Sequence, residues 1–297
     1  MTAELFDSDF LKRLERLSLV ARRTLSSARS GDRRSKRHGG TVEFADYRRY
    51  AWGDDMRRID WFAYARFESL FLKLFSEEQD LAVHVLVDAS ASMRTGEPTK
   101  LDHALRVAAA LSYVALAAGD RLTLRTFVAG EGEAPFGPAR GRQRLAALLA
   151  HLARVAAKPR EGNTSLGAAV NAFLARRPGP GIVLVISDFL DREGPEGAVG
   201  RLRVAHEPFL LQVASREELE PRVGEELDLV DAETGETVSV TLDRTAVKAY
   251  AERLRAWNER LEALAKRLEV PHVLVPTDVP VETLVLELLA RRAVTRS

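Results

Sequence analysis

Two hydrophobic periods alternate along the chain. Residues 4–28 place Leu5, Phe6, Phe10, Leu14, Leu17, Val20, Ala21 and Leu25 at steps of mostly three and four, which predicts one or two amphipathic helices. Phe71–Phe75 alternates like a strand. Leu81–Val87 is an unbroken apolar run, the pattern of a strand buried on both faces. Lys100–Ala118 is apolar all round and ends at Gly119, which predicts a buried helix with a glycine C-cap. Arg121–Phe127 reads as a strand, 131–141 as an edge strand because of its prolines, and 142–157 as a helix. A helix over Ser165–Arg176, broken by Pro178-Gly179-Pro180-Gly181, leads into a second apolar strand, Ile182–Ser187. Further helices are expected at 194–206, 245–268 and 281–292, with strands at 208–213 and 270–276.

This alternation predicts an α/β fold: a doubly wound, mostly parallel, Rossmann-like sheet. Residues 80–297 form the main domain, and 1–79 an N-terminal extension of helix and strand that packs on it. Ser215–Asp243 interrupts the pattern with ten acids against two bases; Leu227–Val230 and Thr237–Thr241 read as an exposed hairpin, so 215–243 is an acidic insertion.

Composition narrows the classes. Hydrophobic residues make up 46% and charged residues 29%, an ordinary globular balance, and the net charge of +1 selects no partner. Cysteine is absent, which fits a reducing compartment. The first residues carry no apolar signal core, and no apolar run reaches the roughly 18 residues of a bilayer span, so a cytoplasmic protein is expected.

Chemistry concentrates where strands end. The run Leu81–Val87 passes into Asp88, Ser90 and Ser92; Ile182–Ser187 passes into Asp188; Thr164 opens a helix. In open α/β sheets ligands sit beyond the strand carboxyl ends. In an extended loop, positions i, i+2 and i+4 point the same way, so Asp88, Ser90 and Ser92 converge their oxygens. Hydroxyls with one or two carboxylates suit magnesium, a hard ion that keeps some of its water. The same residue types are also ordinary turn and N-cap formers.

Asp88-Ala-Ser90-Ala-Ser92-Met93, Gly162-Asn-Thr164-Ser-Leu-Gly and Val185-Ile-Ser-Asp188 together resemble the metal-ion-dependent adhesion site of von Willebrand factor type A domains. The resemblance implies a magnesium ion, replaceable by manganese or calcium, held by Asp88, Ser90, Ser92, Thr164 and Asp188, with a vacancy for a partner's carboxylate. In that family the second Asp is usually followed by Gly; Phe189 stands there instead.

Thr41–Gln79 holds two of the three Trp and three of the five Tyr among alternating acids and arginines. Glu43-Phe44, Asp46-Tyr47-Arg48, Tyr50, Gly53-Asp54-Asp55, Arg57, Ile59-Asp60-Trp61 and Ala65-Arg66 resemble the signature of domain-of-unknown-function family 58. That family places this signature just upstream of a von Willebrand-type domain, and many members have N-terminal membrane helices that are not expected here. The segment reads as an internal clasp or as a docking surface made of Arg48, Tyr50, Asp54, Asp55, Arg57, Asp60, Trp61 and Arg66.

The expected function is a non-enzymatic, magnesium-dependent interaction module. By family resemblance its partner is a MoxR-type AAA+ ATPase, in chaperone-like assembly or maturation. One alternative is a phosphohydrolase with Asp88 as nucleophile, disfavoured because Ser90 occupies the usual place of an acid–base carboxylate. The other is nucleic-acid binding through the basic residues 29–40, disfavoured because no aromatics are interleaved for stacking.

Overall fold

The computed structural model describes residues 5–17, 42–52, 54, 56, 59–77, 81–128, 134–158, 165–191, 193–221, 226–230, 237–241 and 244–294. The chain divides into two units, Met1–Asp32 with Leu81–Ser297, and Arg33–Asp80. The basic segment 29–40 lies outside the described residues.

In the larger unit the apolar run becomes β3 (Ala82–Asp88), every residue of which is buried. It is central in a six-stranded sheet with β4 (Arg121–Phe127), β5 (Phe136–Ala139), β6 (Gly181–Ser187), β7 (Glu207–Ala214) and β10 (His272–Pro276), in the order β10-β7-β6-β3-β4-β5. All neighbours are parallel except β5, which runs antiparallel to β4 at the edge. The chain leaves β3 toward β4 and leaves β6 toward β7, in opposite directions across the sheet. The fold is therefore a mixed α/β architecture around a mostly parallel sheet.

Strand alternation sends side chains to two cores. Val83, Val85 and Val87 join Leu122, Leu124, Leu211 and Val275 on one face. That face is covered by α3 (Lys100–Ala118), α4 (Leu145–Ala157), α9 (Val281–Val294) and a first helix, α1, at 8–17. Leu86, Val183, Val185 and Leu210 face the other way, against α5 (Leu166–Ala175), α6 (Glu196–Arg203) and α8 (Arg244–Arg267). Phe10 and Leu14 of α1 are buried in the first core, and Arg106 of α3 donates from Nε to the Leu5 carbonyl at 3.0 Å. Helix α1 thus groups with 81–297.

Thr99 caps α3 by accepting from the Asp102 amide at 3.0 Å. Gly119 closes it with φ of +83°, a conformation that disfavours any Cβ. By length and composition α3 could cross a membrane, but 78% of that stretch is buried within the unit, which is the behaviour of a core helix.

Between β7 and β10 lies a short helix, α7 (Arg216–Leu219), followed by an antiparallel pair, β8 (Glu226–Val230) with β9 (Thr237–Thr241). The acids Asp231, Glu233 and Glu236 lie outside the described residues.

In the smaller unit β1 (Val42–Arg49) pairs antiparallel with β2 (Phe71–Glu77), with an irregularity between Phe44 and Asp46. A short helix, α2 (Trp61–Phe67), stands between them. Asp60 caps it, Oδ1 accepting from the amides of Phe62 at 3.0 Å and Ala63 at 3.3 Å. Strand β1 was not visible in the hydrophobic pattern; its partner β2 fixes its extension.

Candidate functional site

The site forms where β3 and β6 end. The two strands are hydrogen-bonded neighbours with Val87 opposite Ile186, so Asp88 stands level with Ser187, one residue before Asp188. The adjacency follows from the reversal of winding direction between these strands.

Asp88 is wholly buried. Its Oδ1 accepts from the Ser90 amide at 2.9 Å, a turn that folds the chain back over the strand end. Its Oδ2 accepts from the Ser187 hydroxyl at 2.7 Å. Ser187 Oγ in turn accepts from the Phe189 amide at 2.9 Å, so one hydroxyl ties the two strand ends together. Ser90 and Ser92 bring their hydroxyl oxygens to 3.1 Å from each other as the chain enters a turn of 3-10 helix at Ser92–Arg94. Asp188, also buried, accepts from the Leu190 amide at 3.1 Å through Oδ1.

The electrostatics of the cluster are dominated by Lys100, the first residue of α3. Its side chain is 1% exposed, and its Nζ donates to Asp188 Oδ2 at 2.9 Å and to Glu218 Oε1 of α7 at 2.5 Å. Burial alone pushes the Lys100 ammonium down; the charges of Asp188 and Glu218 outweigh it, and the net shift is upward. Glu218 is itself fixed by a capping box, Oε2 accepting from the Ser215 amide at 3.0 Å. Asp88 has no such counterion. Burial, followed by the charge of Asp188, raises it, the bonds from Ser187 and Ser90 pull back, and the balance is a carboxyl pushed up to about 7.

The approach of α5 is held by Asp191, whose Oδ2 accepts from the Leu166 amide at 2.8 Å, and by the N-cap Ser165, which accepts from the Ala168 amide at 3.1 Å. Thr164 lies outside the described residues. The structure thus brings Asp88, Ser90, Ser92 and Asp188 to one locus, and adds Lys100, Ser187, Asp191 and Glu218, which sequence reasoning missed. One of these left a signal, the S-x-x-E box of Ser215–Glu218.

Phe189 has φ of +59°, the left-handed region that glycine enters freely, and its ring is buried. The turn after Asp188 therefore keeps a glycine-like backbone with a phenylalanine in it.

Every donor at the locus is a carboxylate or hydroxyl oxygen, and the buried Asp88 is short of positive charge. Asp188 keeps Oδ1 clear of Lys100. Among the described residues no three His, Cys, Asp or Glu gather as a metal cluster; this locus pairs two carboxylates with serine hydroxyls. The residues fit magnesium, which would supply the compensating charge and a position for an external oxygen.

Of the docking set in the smaller unit, Arg48 pairs with Asp54 at 2.8 Å, and Asp54 also accepts from the Ala51 amide at 2.8 Å. The Arg48 hydrogen bond is the main reason the Asp54 carboxyl lies below its usual range. Tyr50 donates its amide to the Leu70 carbonyl, Asp60 caps α2, and the Arg66 guanidinium lies 5.7 Å from the centre of the Phe67 ring. Trp61 is exposed and meets Tyr64 edge-on. Asp55 and Arg57 lie outside the described residues.

Fold and site together define an α/β protein with a buried carboxylate–hydroxyl cluster at the carboxyl edge of its sheet. The chain belongs to the DUF58 family, proteins of unknown function, whose model matches residues 46–261. It is 29% identical over 250 residues to Mycobacterium bovis "uncharacterized protein Mb1516" and to Mycobacterium tuberculosis "uncharacterized protein Rv1480", matching 82% of this chain and 77% of each of theirs. Among solved structures it is similar to the conserved hypothetical protein BatB of Bacteroides thetaiotaomicron, at 16% identity and a TM-score of 0.42, over 71% of this chain and 99% of that one. It is also similar to an aerotolerance-related membrane protein of Bacteroides fragilis, at 14% identity and a TM-score of 0.41, over 72% and 99%.

Proposed function

We propose that this protein is a non-enzymatic interaction module of von Willebrand factor A type. Asp88, Ser90, Ser92 and Asp188, with Thr164, hold a magnesium ion, and the ion takes a carboxylate from a protein partner. One observation carries the reading: two carboxylates from separate strand ends are buried together beside paired serine hydroxyls, and the ammonium present engages only the second of them. Catalysis by Asp88 finds no support, because Ser90, two residues on, offers a hydroxyl already engaged with Ser92. The proposed partner is a MoxR-type AAA+ ATPase, in chaperone-like assembly or maturation, and the proposed setting is the cytoplasm, without nucleic acid.

The reading is tested by binding to such an ATPase with and without chelator, and with Asp88→Ala. Loss of binding under both is expected; retention under both overturns it. A second reading rests on Lys100: its bond to Asp188 makes the cluster a metal-free structural knot. Magnesium leaves the melting temperature unchanged in that case and raises it in the first.

A further inference from the structure

On the face of the sheet that carries α5, toward the amino ends of β4 and β6, β4 presents Arg121, Thr123 and Arg125 at spacing i, i+2, i+4, opposite the buried Leu122 and Leu124. Arg176, at the C-cap of α5, comes toward them. The three arginines, with Phe173 and the turn at Pro178-Gly179, line a cleft of about 290 Å³. No acidic side chain lines it, and among the described residues none of the three guanidiniums has an ion-pair partner.

A cation at a helix carboxyl end is favourable in its own right, so Arg176 alone would mean little. Arg121 and Arg125 lie on a strand and have no such excuse. Arg125 is half-buried, and burial, followed by the charge of Arg176, holds it below the usual guanidinium range. The floor adds no compensating charge. His84 sits against Phe173 with ring centroids 5.1 Å apart. Its Nε2 lies 3.1 Å from the Gly179 carbonyl, an obligate acceptor, so Nε2 carries the proton and Nδ1 accepts from the Thr123 hydroxyl at 2.6 Å. His84 and Thr123 thus satisfy each other and leave the guanidiniums unpaired.

We infer that this cleft binds a small phosphate-bearing anion through Arg121, Arg125 and Arg176. Guanidinium forks match phosphate oxygens in pairs, and a volume just under the usual range of ligand pockets favours a compact group over a polymer. The inference is independent of the magnesium proposal, because the cleft shares no residue with that site.

The test is calorimetric titration of the full chain with pyrophosphate at low salt, with chelator present throughout. Saturable binding with a Kd at or below about 1 mM is expected, weakened about tenfold by Arg125→Gln and left unchanged by Arg255→Gln on α8. Circular dichroism checks that each variant folds. If Arg125→Gln does not fold, Arg121→Gln and amide-shift mapping of the wild type read the same site, with shifts expected on β4 and at 176–179. No saturation by about 10 mM, equal binding by the folded arginine variant, equal weakening by Arg255→Gln, or shifts centred elsewhere overturns the inference.

Discussion

If Asp88 is a magnesium ligand, as proposed, the ion must compete with a proton for it, and the competition has a calculable size. Asp88 is raised to about 7 by burial and by the neighbouring charge of Asp188. At pH 6 only about one chain in eleven carries it ionised; at pH 8 about ten in eleven do. Apparent magnesium affinity therefore rises about tenfold from pH 6 to pH 8, about 1.4 kcal/mol. The same raised value makes metal-free stability fall with pH. The contribution is complete below the unfolded value near 4, because the folded state holds its proton longer, and it is lost as pH passes about 7. Calorimetric titration with magnesium in two buffers of different ionisation enthalpy reads both effects. Close to one proton should be released per ion at pH 6 and about a tenth of one at pH 8. An affinity flat across this range, with no proton release, would show that the ion does not displace the Asp88 proton.

Three further predictions concern the frame of the site. Lys100→Met strips Asp188 of its buried counterion and should cost about 3 kcal/mol in urea unfolding, less in saturating magnesium; wild-type stability would refute the role given to the ammonium. Phe189→Gly should be more stable than Phe189→Ala by about 1 kcal/mol, because alanine keeps the left-handed strain that glycine avoids; the reverse order in thermal melts would contradict the φ of +59°. Asp191→Ala frees the Leu166 amide and should lower stability by about 1 kcal/mol while weakening magnesium binding; unchanged affinity would separate Asp191 from the site.

Strands β3, β6, β7 and β10 of the main sheet were legible as largely apolar stretches bounded by Gly, Pro or a charged residue, β4 by the alternation of Leu122 and Leu124 with polar residues, and β5 because its prolines suit only an edge. Asp88 and Asp188 stood out as carboxylates terminating such runs. Pairings across distance were not legible. Lys100 and Glu218 are 118 residues apart, and nothing local marks a lysine at the head of an apolar helix as the partner of either acid. Strand β1 was hidden for a similar reason: Val42–Arg49 mixes acids, arginines and rings, and its extension comes from pairing with β2. The left-handed Phe189 runs against residue preference, which only the surrounding hydrogen bonds and the burial of its ring can override.

The most direct measurement is electron paramagnetic resonance of manganese titrated into wild-type and Asp88→Asn protein. One tightly bound ion per wild-type chain is expected, displaced by magnesium and absent from the variant. Equal manganese binding by the two proteins, or none by the wild type, would contradict a cation centre at the ends of β3 and β6.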